Sequence, residues 1–149
     1  MSRKKDRRHA VCLIFARNFH VDEPFFPKED LTYYAQHFAA DVLESGFSEP
    51  DYVHTVYAGV YEKLEKLDAY ITKASDAWDI KRISKMDLTI MRLCLYEMYY
   101  VDEVSISVAI NEAIEIAKEF SDEDSYKFVN GVLEKIRRTE ETSRGDSSL

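Results

Sequence analysis

Glycine and proline are scarce in this chain, four and three of 149 residues. Both punctuate strand-and-turn architectures and enrich disordered segments. Their shortage, beside 46% hydrophobic residues, disfavours those classes and leaves helices joined by short connections. Cysteine is nearly absent too: Cys12 and Cys94 each lie in an apolar helical pattern without paired metal-ligand spacing, and read as buried free thiols of a reducing compartment. No apolar run approaches the roughly 20 residues that cross a bilayer. The basic amino terminus lacks a small-residue cleavage site, so a cytoplasmic location is expected. Signatures of catalysis are missing as well. There is no G-x-S-x-G, no phosphate-cradling glycine loop, and His9, His20, His37 and His54 fall on separate elements without an H-x-x-x-H pair. Glu112 and Glu115 are three apart, yet without histidine partners they read as a solvated face. Neither an enzyme nor a cofactor nor a metal is indicated.

What is present is segregated charge. Residues 1–17 carry six Lys/Arg (Arg3, Lys4, Lys5, Arg7, Arg8, Arg17) against Asp6, while the remainder carries 14 against 27 acids, for a total of −8. A cationic arm on an acidic body suits a polyanion at one end and a basic protein elsewhere; a merely solvated terminus is the competing reading. Arg7 and Arg8 are expected to project from the opening turns of the first helix, where the helix dipole disfavours cations.

Apolar spacing predicts seven helices and no strand, within one domain over residues 1–138. The first runs from about Ser2–Lys5 to Phe19, with Ala10, Leu13 and Ile14 inward. The second runs from about Lys28 to Glu44, burying Leu31, Tyr34, Ala35, Phe38 and Val42, and ends at Ser45 and Gly46. The third, from Ser48 as cap with Pro50 and Asp51 in the first turn, continues unbroken to about Thr72. This closes an amino-terminal group over about residues 3–72. A short turn around Trp78, Ile80 and Ile83 opens the carboxy-terminal group, about 79–138. At its centre lies MDLTIMRLCLYEMYY, Met86 to Tyr100, apolar nearly all round and therefore buried, capped by Ser84. Inside it Arg92 and Glu97 need partners from other helices or a wet margin. Helix six spans about Ser107 to Phe120, with Val108, Ala109, Ala113, Ile116, Ala117 and Phe120 as core. Helix seven spans Asp124 to about Arg138. Residues 139–149 are polar, without periodicity, and are expected to form a disordered tail.

In YKFVNGVLEKI, Asn130-Gly131 would ordinarily mark a hairpin, but Val129, Val132, Leu133 and Ile136 hold helical spacing through it. A glycine inside a helix costs about 1 kcal/mol, which suggests close approach by another helix or by a ligand backbone. Just upstream, Lys127 and Phe128 near the helix start offer a cation, unpaired amides for a phosphate and a ring for base stacking; core filling competes for Phe128.

The segments RISKMDLTIMRLCLYEM, VAINEAIEIAKEFSDEDSYKFVNGVL and RRHAVCLIF resemble the NusB family of bacterial transcription antitermination factors. The likeness covers about residues 3–137. It implies an all-α, seven-helix fold of two packed three-helix groups around a central helix. It implies binding of single-stranded boxA RNA of ribosomal RNA leader transcripts together with NusE, a ribosomal small-subunit protein, within the RNA polymerase antitermination complex. On this resemblance Arg3, Lys4, Lys5, Arg7 and Arg8 correspond to an arginine-rich RNA-binding start. Asp124, Lys127, Phe128 and Asn130 fall in an RNA-proximal segment, and Asp87 stands where an acid faces NusE, with helix capping as its competing role. Two alternatives keep the fold: a stand-alone relative of the RNA-binding domain of a ribosomal RNA methyltransferase, disfavoured because no cofactor domain follows, or a helical adaptor or homodimer without an RNA role.

Overall fold

The computed structural model describes residues 3–76 and 79–147, with side chains as far as 139. Among them are eight α-helices, one short 3-10 turn and no strand: α1 Arg3–Arg17, α2 Pro27–Phe38, α3 Ala40–Ser45, α4 Pro50–Glu62, α5 Leu64–Ala74, the turn Ile80–Arg82, α6 Lys85–Tyr100, α7 Ile106–Phe120 and α8 Glu123–Ser147. Two helices more regular in sequence than in structure account for the difference from seven. The second predicted helix breaks at Ala39, which turns extended (φ −141°, ψ 76°) between α2 and α3. The third breaks at Lys63, between α4 and α5. Helical spacing of apolar residues continues across both breaks, so pattern alone does not reveal them. α8 continues in helical backbone to Ser147, past the start of the expected tail at Thr139. Trp78 lies outside the described residues.

The chain forms two compact units, residues 1–62 and 63–149. In the first, α1 packs on α4, and α2 packs on α3 and α4. Ala10, Val11, Leu13 and Ile14 of α1 meet Val53, Val56, Tyr57 and Val60 of α4 in its core. α2 buries none of its residues: Leu31, Tyr34 and Ala35 are half-buried and Phe38 is 72% exposed. Of the predicted stripe only Val42, on α3, is buried.

In the second unit α6 is the central rod, with every residue from Asp87 to Met98 buried. Ser84 Oγ accepts the Asp87 amide at 3.1 Å, closing its first turn. α7 and α8 pack on it and on each other, and α5 packs on α6 and α8. α5 therefore belongs with the carboxy-terminal helices, not with the amino-terminal group whose apolar pattern it continues. Buried Arg92 is met by α5, whose Asp68 accepts from Nε and Nη2 at 2.7 and 2.8 Å. Such a planar two-point pair supplies the partner that a buried guanidinium requires. Tyr70 and Tyr99 stack at 4.6 Å on the same seam. On α7 Ser105 caps by accepting the Val108 amide, and Ala109, Ala113, Ile116 and Ala117 are buried; Val108 and Phe120, expected in the core, are exposed.

Candidate functional site

The first turns of α1 sort their charges by helical spacing. Arg3 and Arg7, four apart, both face α4: the guanidinium of Arg3 lies 4.3 Å from the centre of the Tyr52 ring and that of Arg7 5.9 Å. Arg3 also donates twice to the Glu49 carboxylate, each bond 2.7 Å, which holds the Glu49 carboxyl below its ordinary value. Asp6, on the same side, is buried and accepts the backbone amides of Ser48 and Glu49 at 3.0 and 2.6 Å. Those amides precede α4, so its start is capped from α1, more than 40 residues away in sequence. The expected cap, Ser48, does not act: its hydroxyl is buried without a hydrogen-bond partner.

Lys5 and His9 form a second face. Lys5 pairs with Asp41 at 2.8 Å, and the His9 ring spans Asp41 at 3.2 Å and the Tyr34 hydroxyl at 2.7 Å. Lys5 first, then His9, hold the Asp41 carboxyl at about 2. The Tyr34 hydroxyl is pushed up, by burial first and then by Cys12 and Asp41. Cys12 is itself half-exposed, unlike buried Cys94. On the third face stand Lys4, exposed, and Arg8, half-exposed, whose guanidinium donates to the Lys4 carbonyl.

Of the five expected arm cations, Arg7 thus does not project. It is 5% exposed and packed toward α4, because a side chain four residues from Arg3 must share its face. Arg3 and Lys5 are held in ion pairs, which also answers the dipole objection to cations there: the acids that offset them come from other elements. Lys4 and Arg8 stay on the third face, exposed and half-exposed.

In the second unit the start of α8 is capped by Asp122, which accepts the Ser125 amide at 2.8 Å. The anion position expected for a phosphate is therefore filled by a side chain of the protein. Asp124 and Asn130 are exposed, Phe128 is half-buried, and exposed Lys127 pairs with Glu123 at 3.1 Å. Gly131 is not a place of close helix packing: a Cβ there would meet nothing within 4 Å. Sequence reading missed Lys118, whose ammonium lies 5.4 Å from the centre of the Tyr126 ring beside the same helix start; an α7 lysine and an α8 ring carry no joint sequence signal. Asp87 is buried, its carboxylate accepting the Ser121 hydroxyl at 3.3 Å. It joins the start of α6 to the residue that ends α7, while the cap of α6 is the Ser84 hydroxyl and not the Asp87 carboxylate.

Asp6 was also missed, although a lone acid in a basic run was a usable sign. Among the described residues no three His, Cys, Asp or Glu side chains gather as metal ligands, and no helix is long and apolar enough to cross a membrane.

The profile of the NusB family matches residues 4–138. The transcription antitermination protein NusB of Lachnoclostridium phytofermentans is 39% identical over 137 residues, covering 91% of this chain and 98% of its own. That of Natranaerobius thermophilus is 36% identical over 139 residues, covering 91% and 94%. The solved structure of T. maritima NusB superposes with a TM-score of 0.72 at 28% identity, covering 93% of this chain and 92% of its own.

Proposed function

Because the chain belongs to the NusB family, we propose that it serves in transcription antitermination by binding the boxA segment of ribosomal RNA leader transcripts together with NusE, inside the RNA polymerase antitermination complex. One observation carries the reading: the family match runs along residues 4–138, and its relatives bear the antitermination name.

Lys4 and Arg8 are the arm's phosphate-binding pair. One helical turn apart on α1, they present two positive charges to a single strand, while the ion pairs of Arg3 and Lys5 keep that helix in place. Arg7 acts through the fold, as a cation packed toward α4. In the other unit Lys127 supplies a further cation, Phe128 a ring edge for a base, and Asn130 and Asp124 exposed polar groups that can read the edges of an unstacked base. Gly131, with open space above its Cα, lets a strand run close to the α8 backbone. Asp87, buried, contributes to NusE binding by shaping the α6 start. The acidic remainder of the chain favours basic NusE through its summed field.

The test is a gel shift with boxA RNA and a scrambled RNA, each with and without NusE. Lys4→Glu combined with Arg8→Glu abolishes the boxA shift at moderate salt and leaves circular dichroism and NusE binding unchanged. In titrations across salt, the charge-neutral pair Lys4→Gln with Arg8→Gln lowers the log-log slope by about 1.4, at about 0.7 for each phosphate that is no longer neutralised. Equal, weak binding of the parent protein to both RNAs, with NusE present, rejects the reading and favours a helical adaptor.

A further inference from the structure

The amino-terminal unit holds a cavity of about 430 Å³ that the nucleic-acid reading leaves unused. Tyr33, Tyr34 and Phe38 of α2 and Tyr57 of α4 wall it, with Leu13 of α1 alongside. Two of these rings remain largely in water: Phe38 is 72% and Tyr33 58% exposed. Large rings left uncovered beside a cavity are area that a ligand gains by covering.

Asp30 lines the same cavity. Its Oδ2 accepts the Tyr57 hydroxyl at 2.8 Å, which fixes its orientation, while Oδ1 accepts no hydrogen bond among the described residues. Burial first, and then this bond to Asp30, push the Tyr57 hydroxyl up, so it stays a donor. The other ionisable lining groups are Arg17, Glu23 and His20. Arg17 is already engaged: it donates to the carbonyls of Glu23 and Pro24 at 2.7 and 3.3 Å and lies 4.9 Å from the Phe25 ring centre. His20 faces Glu23 at 3.1 Å.

Apart from His20, which already faces Glu23, the lining thus carries two carboxylates against one guanidinium. An incoming cation neutralises it, whereas an anion doubles the imbalance. Ring faces attract cations through their quadrupole. A guanidinium, planar and weakly hydrated, stacks on such faces and presents several donors to a carboxylate, where an ammonium is a compact, strongly hydrated charge. We infer that this cavity receives the arginine side chain of a partner protein, with Asp30 as its counter-ion and Tyr33, Tyr34 and Phe38 as its aromatic walls. The inference does not rest on RNA binding.

The test uses the full chain labelled with nitrogen-15, titrated with N-acetyl-L-arginine amide, N-acetyl-L-lysine amide and uridine monophosphate, reading amide shifts over residues 30–38. The arginine compound gives saturable shifts there, and the lysine compound binds at least about threefold more weakly. Asp30→Asn, which keeps shape and the bond from Tyr57, weakens arginine binding about tenfold. Tyr33→Ala, at an exposed ring that leaves folding intact, weakens it several-fold. If Asp30→Asn lowers helicity, Tyr33→Ala decides alone. Equal binding of arginine and lysine compounds that neither variant changes overturns the inference. So does saturation by uridine monophosphate in place of arginine, which makes the cavity a nucleotide site.

Discussion

Different forces hold each of the two units of this protein in shape. Residues 63–149 are organised around α6, whose twelve consecutive residues from Asp87 to Met98 are all buried. The ion pair of Arg92 with Asp68 serves a charge that burial made obligatory. Residues 1–62 have a smaller apolar seam between α1 and α4, and much of the rest is polar clamping: Asp6 on the α4 amides, Arg3 on Glu49, Lys5 and His9 on Asp41. Where burial organises a unit, its helices are specified by their own sequences. Where clamps organise it, the helix ends depend on residues far away, and one helix, α2, is left half in water with a cavity beside it.

Removing core volume should separate the units most. Leu95 is 0% exposed at the middle of α6, so Leu95→Ala costs about 3 kcal/mol through reduced burial and the cavity left behind. Phe38→Ala, at a ring of larger size, costs less than about 0.5 kcal/mol because water already covers it. Urea unfolding followed by circular dichroism measures both. Comparable losses would mean that α2 is far better packed in solution, and the contrast between the two units would fail.

A smaller effect probes the clamps. Asp6→Ala leaves the amides of Ser48 and Glu49 without their acceptor and should cost about 2 kcal/mol, in the range of missing helix caps and unsatisfied donors. Asp6→Asn, with one acceptor oxygen remaining, should cost about half as much. Amide hydrogen exchange adds the location: protection should fall first in the opening turn of α4. A uniform loss across α4 would show that the seam and the cap are one cooperative element.

These differences decide how much of the molecule was legible beforehand. α6, α7 and the buried face of α8 were readable because Ile90, Ile116 or Leu133 announce their side by spacing alone, and Ser84 caps α6 through an amide only three residues on. The breaks at Ala39 and Lys63 were not, since the apolar stripe resumes in phase on the far side of each. Nor was the burial of Arg7. Composition presents a run of cations as one arm, whereas helical geometry assigns them to different faces: Arg3 and Arg7 to α4, Lys5 to Asp41, Lys4 and Arg8 to a third face that stays exposed or half-exposed. Gly131 failed in the opposite sense, because a missing side chain states that space is needed without saying whether this chain or another molecule fills it.

The weakest clamp gives the finest test. Asp41 lies at the surface, and Lys5 and His9 lower its carboxyl from 3.8 to about 2. A carboxyl depressed in the folded state adds stability that is fully present above its unfolded value and is lost as pH falls through the folded one. The Lys5–Asp41 contribution should therefore be intact above about pH 4 and vanish toward about pH 2. Asp41→Asn should flatten that part of the acid limb in urea midpoints taken against pH, and leave the neutral range little changed because an exposed pair is largely offset by solvation. Added salt should shrink the difference between parent and variant, since the charges sit within reach of screening ions. Parallel curves for the two proteins would remove Lys5 and His9 from the forces that fasten α1, leaving Asp6 and Arg3 to do so.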